Sequence, residues 1–262
     1  MKLSSANINV MVKACRKAAK ILIRDFGEIE KLQVSLKGPG DYVTASDKKV
    51  EKILIEELQK ARPDYSILSE EVGEIKNDES FRWIIDPIDG TSNFLHGIPH
   101  FAISVGLEHN NEIICGIVYD PIKDEMFVAE KGNGSYMNNQ RMRVSSRSKL
   151  KDCIIFSGGP RYSSEKKKEA FEEYKKFSSK VNIAIRKLGS ASLDLAYVAA
   201  GRCDGFWQRE LNYWDIAAGI ILIKESGGFV TDFSGGNEYI ENKTIIASNS
   251  KISTEMIEVL KQ

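Results

Sequence analysis

Apolar residues at Ile8, Val12, Cys15, Ala19, Leu22 and Ile23 recur at the three-to-four-residue spacing of an amphipathic helix. Ser4 or Ser5 is placed to cap it, and Gly27 to stop it just past Phe26. A second helical period runs through Val50, Ile53, Leu54 and Leu58, with Asp47 as its expected cap and Pro63 near its end. The period then shortens. Tyr65 to Leu68 and Phe81 to Ile85 read as strands, the second stopped by Asp86 and Pro87. Phe101 to Leu107 and Ile113 to Tyr119 form an expected hairpin around His109-Asn110-Asn111. Glu125 to Glu130 and Gly134 to Met137 form another around Lys131-Gly132-Asn133.

A polar stretch from Ser145 to Lys151 marks a soft boundary. It divides one 262-residue unit into two intimate halves, at about 1–145 and 146–262. Beyond it, Cys153 to Phe156, Asn182 to Lys187, Phe229 to Asp232 and Thr244 to Ala247 read as strands. Ser163 to Ser179, Ser190 to Gly201, Trp214 to Ser226 and Ser253 to Lys261 read as helices. Hairpins mixed with helices in no regular alternation indicate a layered α+β or mixed α/β fold, not a doubly wound parallel sheet.

Composition narrows the function classes. Lys plus Arg and Asp plus Glu both number 37, so the net charge is zero and no overall basic field is available to hold nucleic acid. The run Lys166-Lys167-Lys168 reads as the wet face of its helix. Cys15, Cys115, Cys153 and Cys203 form no C-x-x-C pair and read as reduced core thiols, which suits a cytoplasmic setting. The N-terminal stretch lacks the apolar run of a signal peptide, and no apolar run is long enough to span a membrane.

The chemistry concentrates in Trp83-Ile84-Ile85-Asp86-Pro87-Ile88-Asp89-Gly90-Thr91-Ser92-Asn93. An apolar strand delivers Asp86; Pro87 has no N–H for the ladder, and Gly90 permits a tight turn. Two carboxylates on one constrained turn suit a hard divalent cation, and adjacent turn N–H groups suit a phosphate. Taken alone, the stretch equally fits a capped turn with an Asx-turn residue. Ser69-Glu70-Glu71 alone fits a solvated acidic loop, and Asp215 of Trp214-Asp215-Ile216-Ala217-Ala218-Gly219 a partner of its helix dipole.

Together the three segments resemble the inositol monophosphatase family, with its D-P-x-D-G-T-x-N and W-D-x-A-A-G motifs in order. Further similarity covers residues 41–47, 68–71 and 187–191. The resemblance implies an αβαβα sandwich, a homodimer, lithium sensitivity and two or three Mg²⁺ ions per site. It implies Glu70, Asp86 and the Ile88 carbonyl on one ion, and Asp86, Asp89 and Asp215 on a second, with Thr91 and Glu70 handling the attacking water. Asp89, Gly90, Thr91, Ser92, Ser190, Ala191, Gln208 and Asp215 would face a small phosphorylated metabolite, inositol monophosphate by family. Ser190 stands where the family commonly has threonine, and Gln208 where it commonly has a glutamate touching inositol hydroxyls; Glu210 is an alternative.

Weaker readings remain. Asp47 is a helper behind the metals or a helix cap, and Lys37 attracts phosphate or is ordinary surface. His96, His100 and His109 are too scattered for zinc and read as loop or surface residues. A haloacid-dehalogenase-type phosphatase would need D-x-D spacing, which is absent here. Action on fructose 1,6-bisphosphate, histidinol phosphate, NADP or nucleotide bisphosphates shares the same metal core. A non-catalytic partner of the transcription machinery is a further alternative.

Overall fold

The computed structural model describes residues 5–28, 34–38, 41–158 and 164–261. In chain order the elements are α1 (Ala6–Phe26), β1 (Val34–Gly38), β2 (Asp41–Thr44), α2 (Ala45–Ala61), β3 (Tyr65–Ser69), β4 (Gly73–Ile75), β5 (Asp78–Asp89) and α3 (Thr91–Leu95). They continue with β6 (Ala102–His109), β7 (Glu112–Asp120), β8 (Glu125–Glu130), β9 (Gly134–Met137), β10 (Gln140–Arg141), β11 (Ile155–Ser157), α4 (Ser164–Ser178) and α5 (Ala191–Ala199). The last are β12 (Gly205–Arg209), α6 (Tyr213–Glu225), β13 (Phe229–Thr231), β14 (Thr244–Ser248) and α7 (Ser253–Lys261).

Five layers follow from where each element buries its apolar face. The large sheet has strand order β10-β9-β8-β7-β6-β5-β3-β4, and the small one β11-β12-β14-β13. Among the described residues, β3–β5 and β11–β12 are the parallel strand pairs in these sheets. Leu22 of α1 and Leu54 and Leu58 of α2 pack on Trp83, Ile85, Val105 and Ile117 of the large sheet. On its other face Ile84, Ala102 and Val118 meet α5 and α6, which also cover Phe206 and Ala247 of the small sheet. The outer face of the small sheet, with Trp207 and Ile246, is closed by Phe177 of α4 and Met256 and Val259 of α7. This is the expected αβαβα order. Among the described residues no helix is long and apolar enough to cross a membrane.

Several boundaries differ from the sequence reading, each for a local reason. Thr44, not Asp47, caps α2: its hydroxyl accepts the N–H of Ser46 and Asp47, and Asp47 Oδ2 accepts the N–H of Thr44 at 2.7 Å. That is a reciprocal capping box with Asp47 as its third helical residue. Ser5 caps α1 through the N–H of Ile8, while Ser4 and Ser163 lie outside the described residues. The strand expected over 182–187 reduces to one bridge between Arg186 and Phe156, because of its side chains only Ile185 reaches the core. Conversely, Gly205–Arg209 is a central strand that the polar Gln208-Arg209 tail concealed.

The hairpin turn Asn110-Asn111 has φ of 50° and 62°, the paired left-handed conformation that matches strand twist in two-residue loops. The same hairpin makes a close contact with a helix that matters for the site. Gly106 of β6 lies opposite Gly116 of β7, and α6 settles onto both. A methyl group at Gly116 would stand 2.9 Å from the Ala218 carbonyl oxygen and 2.6 Å from Ile221. Gly116→Ala is therefore expected to destabilise the protein by about 1–3 kcal/mol, by overpacking against helix backbone. The midpoint of urea unfolding measures it.

Candidate active site

The site begins with a fault in the β5 ladder. On a regular strand, residues three apart face opposite sides of the sheet. Asp86 pairs with Ser104 and Asp89 with Ala102, so three steps along β5 match two along β6. This bulge falls at Pro87, which has no N–H to pair, and it returns Asp86 and Asp89 to one face. The strand therefore does not stop at Asp86, as the sequence suggested, but runs through the bulge to Asp89. Ser104 bonds the Trp214 carbonyl of α6 at 3.4 Å, so the shared face is the one covered by α5 and α6.

Two further carboxylates converge on that face. Ser69 at the end of β3 pairs with Ile85, and the Glu70 N–H then bonds the Ile85 carbonyl at 3.2 Å. Glu70 thus leaves the sheet beside Asp86 and hydrogen-bonds its carboxyl. Asp215, third residue of α6, accepts the Asn212 N–H at 2.7 Å and so keeps its role at the helix start. Asp86 is 2% exposed. Burial, first, and then the charges of Glu70, Asp89 and Asp215 push its pKa well above the ordinary carboxylate value.

Asp89 is held from the other half of the chain. Its Oδ2 accepts the Ser190 hydroxyl at 2.6 Å, the Ser192 N–H at 2.7 Å and the Ser192 hydroxyl at 2.6 Å. Its Oδ1 accepts the Ala191 N–H at 3.3 Å. Ser190 and Ala191, expected at the substrate, thus hold the carboxylate at the positive end of α5. Gly90 turns the chain at φ 95°, where a side chain would be strained and its Cβ 3.1 Å from the His100 carbonyl oxygen. Asn93 donates to the carbonyls of His100 and Leu188, each at 2.7 Å, tying the two halves together. The Thr91 hydroxyl donates to the Ile88 carbonyl at 2.9 Å and lies 3.4 Å from Asp47 Oδ1. Asp47 therefore reaches the site besides closing its capping box.

The remaining expected residues are placed less centrally. Ser92 is exposed, and its carbonyl faces His96 Nδ1 at 2.7 Å. Gln208 is half-buried on β12 and fills the space over Gly158. Glu210 follows it with a φ of 60°. The side chain of Lys37 lies outside the described residues. His109 stacks on Phe81, as a surface reading allows, but His100 turns inward. His100 Nε2 stands 3.9 Å from Asp194, a fully buried residue neither of whose carboxyl oxygens has a hydrogen-bond partner among the described residues. Asp194, Ser192 and Glu51 carried no motif in the sequence, and only the polar start of an otherwise apolar α5 hinted at the first two.

Among the described residues no group of three or more His, Cys, Asp or Glu side chains is already arranged to hold an ion. Asp86 is bonded to Glu70, and Asp89 and Asp215 direct oxygens at helix N–H groups. The donor set itself nevertheless fits a hard divalent cation: buried carboxylate oxygens whose mutual repulsion already raises Asp86. Burial also lifts Asp47 to about 6. Both shifts are upward, so the native state keeps protons that the unfolded chain loses near pH ~4. That stabilisation is present below ~4 and is lost as pH rises, through about 6 for Asp47 and further for Asp86. Metal-free protein should accordingly melt at lower temperature at pH ~8 than at pH ~5, and Mg²⁺ should close the gap. Thermal melts across pH, with chelator and with Mg²⁺, check this.

A model of the Inositol monophosphatase family matches residues 5–262. The inositol-1-monophosphatase of Rhizobium meliloti is 51% identical over 98% of this chain and 97% of its own. The Nus factor SuhB of Haemophilus influenzae is 38% identical over 95% and 94%. The crystal structure of extragenic suppressor protein suhB from Bartonella henselae superposes with a TM-score of 0.95 at 50% identity, covering 98% of this chain and 99% of that one. With its motifs, its five-layer fold and these relatives in agreement, this chain belongs to the inositol monophosphatase family of phosphatases.

Proposed function

We propose that the protein is a Mg²⁺-dependent phosphomonoesterase that releases phosphate from inositol monophosphate. The observation that carries this reading is the gathering of Glu70, Asp89 and Asp215 around the buried Asp86. Such crowding costs stability unless a cation offsets it. Glu70, Asp86, Asp89, Asp215 and the Ile88 carbonyl are the oxygens assigned to hold two or three Mg²⁺ ions. Bound there, the ions supply the positive charge that acidifies water and offsets charge on phosphoryl and leaving-group oxygens.

The chain's own groups do the rest. The Thr91 hydroxyl, fixed by the Ile88 carbonyl and next to Asp47, orients the attacking water. Glu70, the half-buried carboxylate beside Asp86, takes its proton. The N–H groups of Gly90, Thr91 and Ser92, at the turn into α3, bind phosphate oxygens. Asp89, clamped by Ser190 and Ser192, keeps its geometry through the reaction. Gln208 contacts the ring hydroxyls by neutral hydrogen bonds. The assembly is a homodimer sensitive to lithium, working in the cytoplasm.

Asp89→Asn or Asp215→Asn should lower kcat by about 100-fold or more, equivalent to ~3 kcal/mol, while the protein still folds. Phosphate release and thermal melting, side by side, test this; full activity in either variant defeats the site assignment. Gln208→Glu should lower KM for inositol monophosphate with kcat little changed. A panel with fructose 1,6-bisphosphate, histidinol phosphate, NADP and nucleotide bisphosphates decides the substrate, and a stronger response to any of these overturns the inositol assignment.

The relatives that carry the name Nus factor SuhB favour a second reading, a binding role beside the transcription machinery. Retained binding by Asp89→Asn would show that role to be separable from catalysis.

A further inference from the structure

Glu51 lies on α2 one helical turn beyond Asp47, on the same side of the helix. It is 2% exposed and belongs to neither motif. Its Oε1 accepts three hydrogen bonds: from the Ser69 hydroxyl, from the Glu71 N–H at 3.0 Å and from the Val72 N–H at 3.2 Å. These donors bracket Glu70 along the chain, one residue before it and two after. Ser69 is itself fully buried. On its remaining side Glu70 is tied through its own N–H to the Ile85 carbonyl, the residue before Asp86.

We propose that Glu51 is a positioning residue for Glu70, holding the β3–β4 turn so that the Glu70 carboxylate stays directed at Asp86. The inference rests on the metal-site reading given above. Three donors on one buried carboxyl oxygen leave the turn little freedom, because a buried acceptor cannot exchange these bonds for water. The same residue on the outside of the helix would gain nothing from this arrangement. α2 thereby serves the site at two levels, Asp47 against Thr91 and Glu51 against the Glu70 turn.

Titration calorimetry of Mg²⁺ into metal-free protein tests the proposal, with thermal melts and kcat and KM measured on the same samples. Glu51→Ala is expected to bind Mg²⁺ about 10-fold more weakly, the range typical of groups that orient metal ligands. Glu51→Gln keeps an acceptor oxygen and should restore much of the affinity. Ser69→Ala, which removes one of the three bonds, should weaken binding by less and serves if Glu51→Ala fails to fold. A staple that is merely structural would lower the melting temperature and leave Mg²⁺ affinity at the wild-type value; that result in folded Glu51→Ala or Ser69→Ala overturns the proposal. Glu70→Gln is the control. If wild type binds no Mg²⁺, or Glu70→Gln binds it like wild type, the metal-site reading itself fails and takes this inference with it.

Discussion

Mutual repulsion among buried carboxylates organises this protein. Asp86 sits where water does not reach it and where the charges of Glu70, Asp89 and Asp215 do. Burial, and then that crowding, push the Asp86 carboxyl well above the ordinary carboxylate range. The chain meets this strain by giving Asp89 and Asp215 N–H and hydroxyl partners at helix starts. Such an arrangement is costly to maintain for stability alone. It is intelligible as a site prepared for positive charge.

Every larger feature of the fold bears on that convergence. The bulge at Pro87 puts two acids of one strand on one face. Parallel pairing of β3 with β5 brings Glu70 alongside, although 16 positions of chain numbering separate it from Asp86. The glycine pair Gly106 and Gly116 lets α6 approach the sheet closely, and Asp215 arrives with it. The start of α5 then clamps Asp89, so one carboxylate depends on both halves of the chain being assembled.

Membership in the inositol monophosphatase family makes a phosphatase role the natural outcome of this geometry. On β12, Gln208 fills the space over Gly158, and Arg209 beside it is half-buried. Arg209 is engaged by Glu169 and Glu173 of α4, so the rim of the small sheet is tied to the outermost layer of the sandwich.

The order of helices and strands was legible in the sequence because amphipathic period and turn residues act over a few neighbours. The hairpin at Asn110-Asn111 and the α6 motif are examples. The four acids were named through the family resemblance, which three short contiguous motifs taken together carry. Other features were not, since they arise from atoms distant in sequence. Pro87 could be seen to interrupt a ladder, but not that the interruption would rotate Asp89 back beside Asp86. Glu51 and Asp194 carry no motif, and His100 reads from sequence as a loop or surface residue; packing alone encloses all three. Local covalent and steric preferences determined the elements, and the family resemblance of the motifs nominated the acids. Only the tertiary structure decided which charges share a buried space, because burial and Coulombic coupling depend on distance through space and not on separation along the chain.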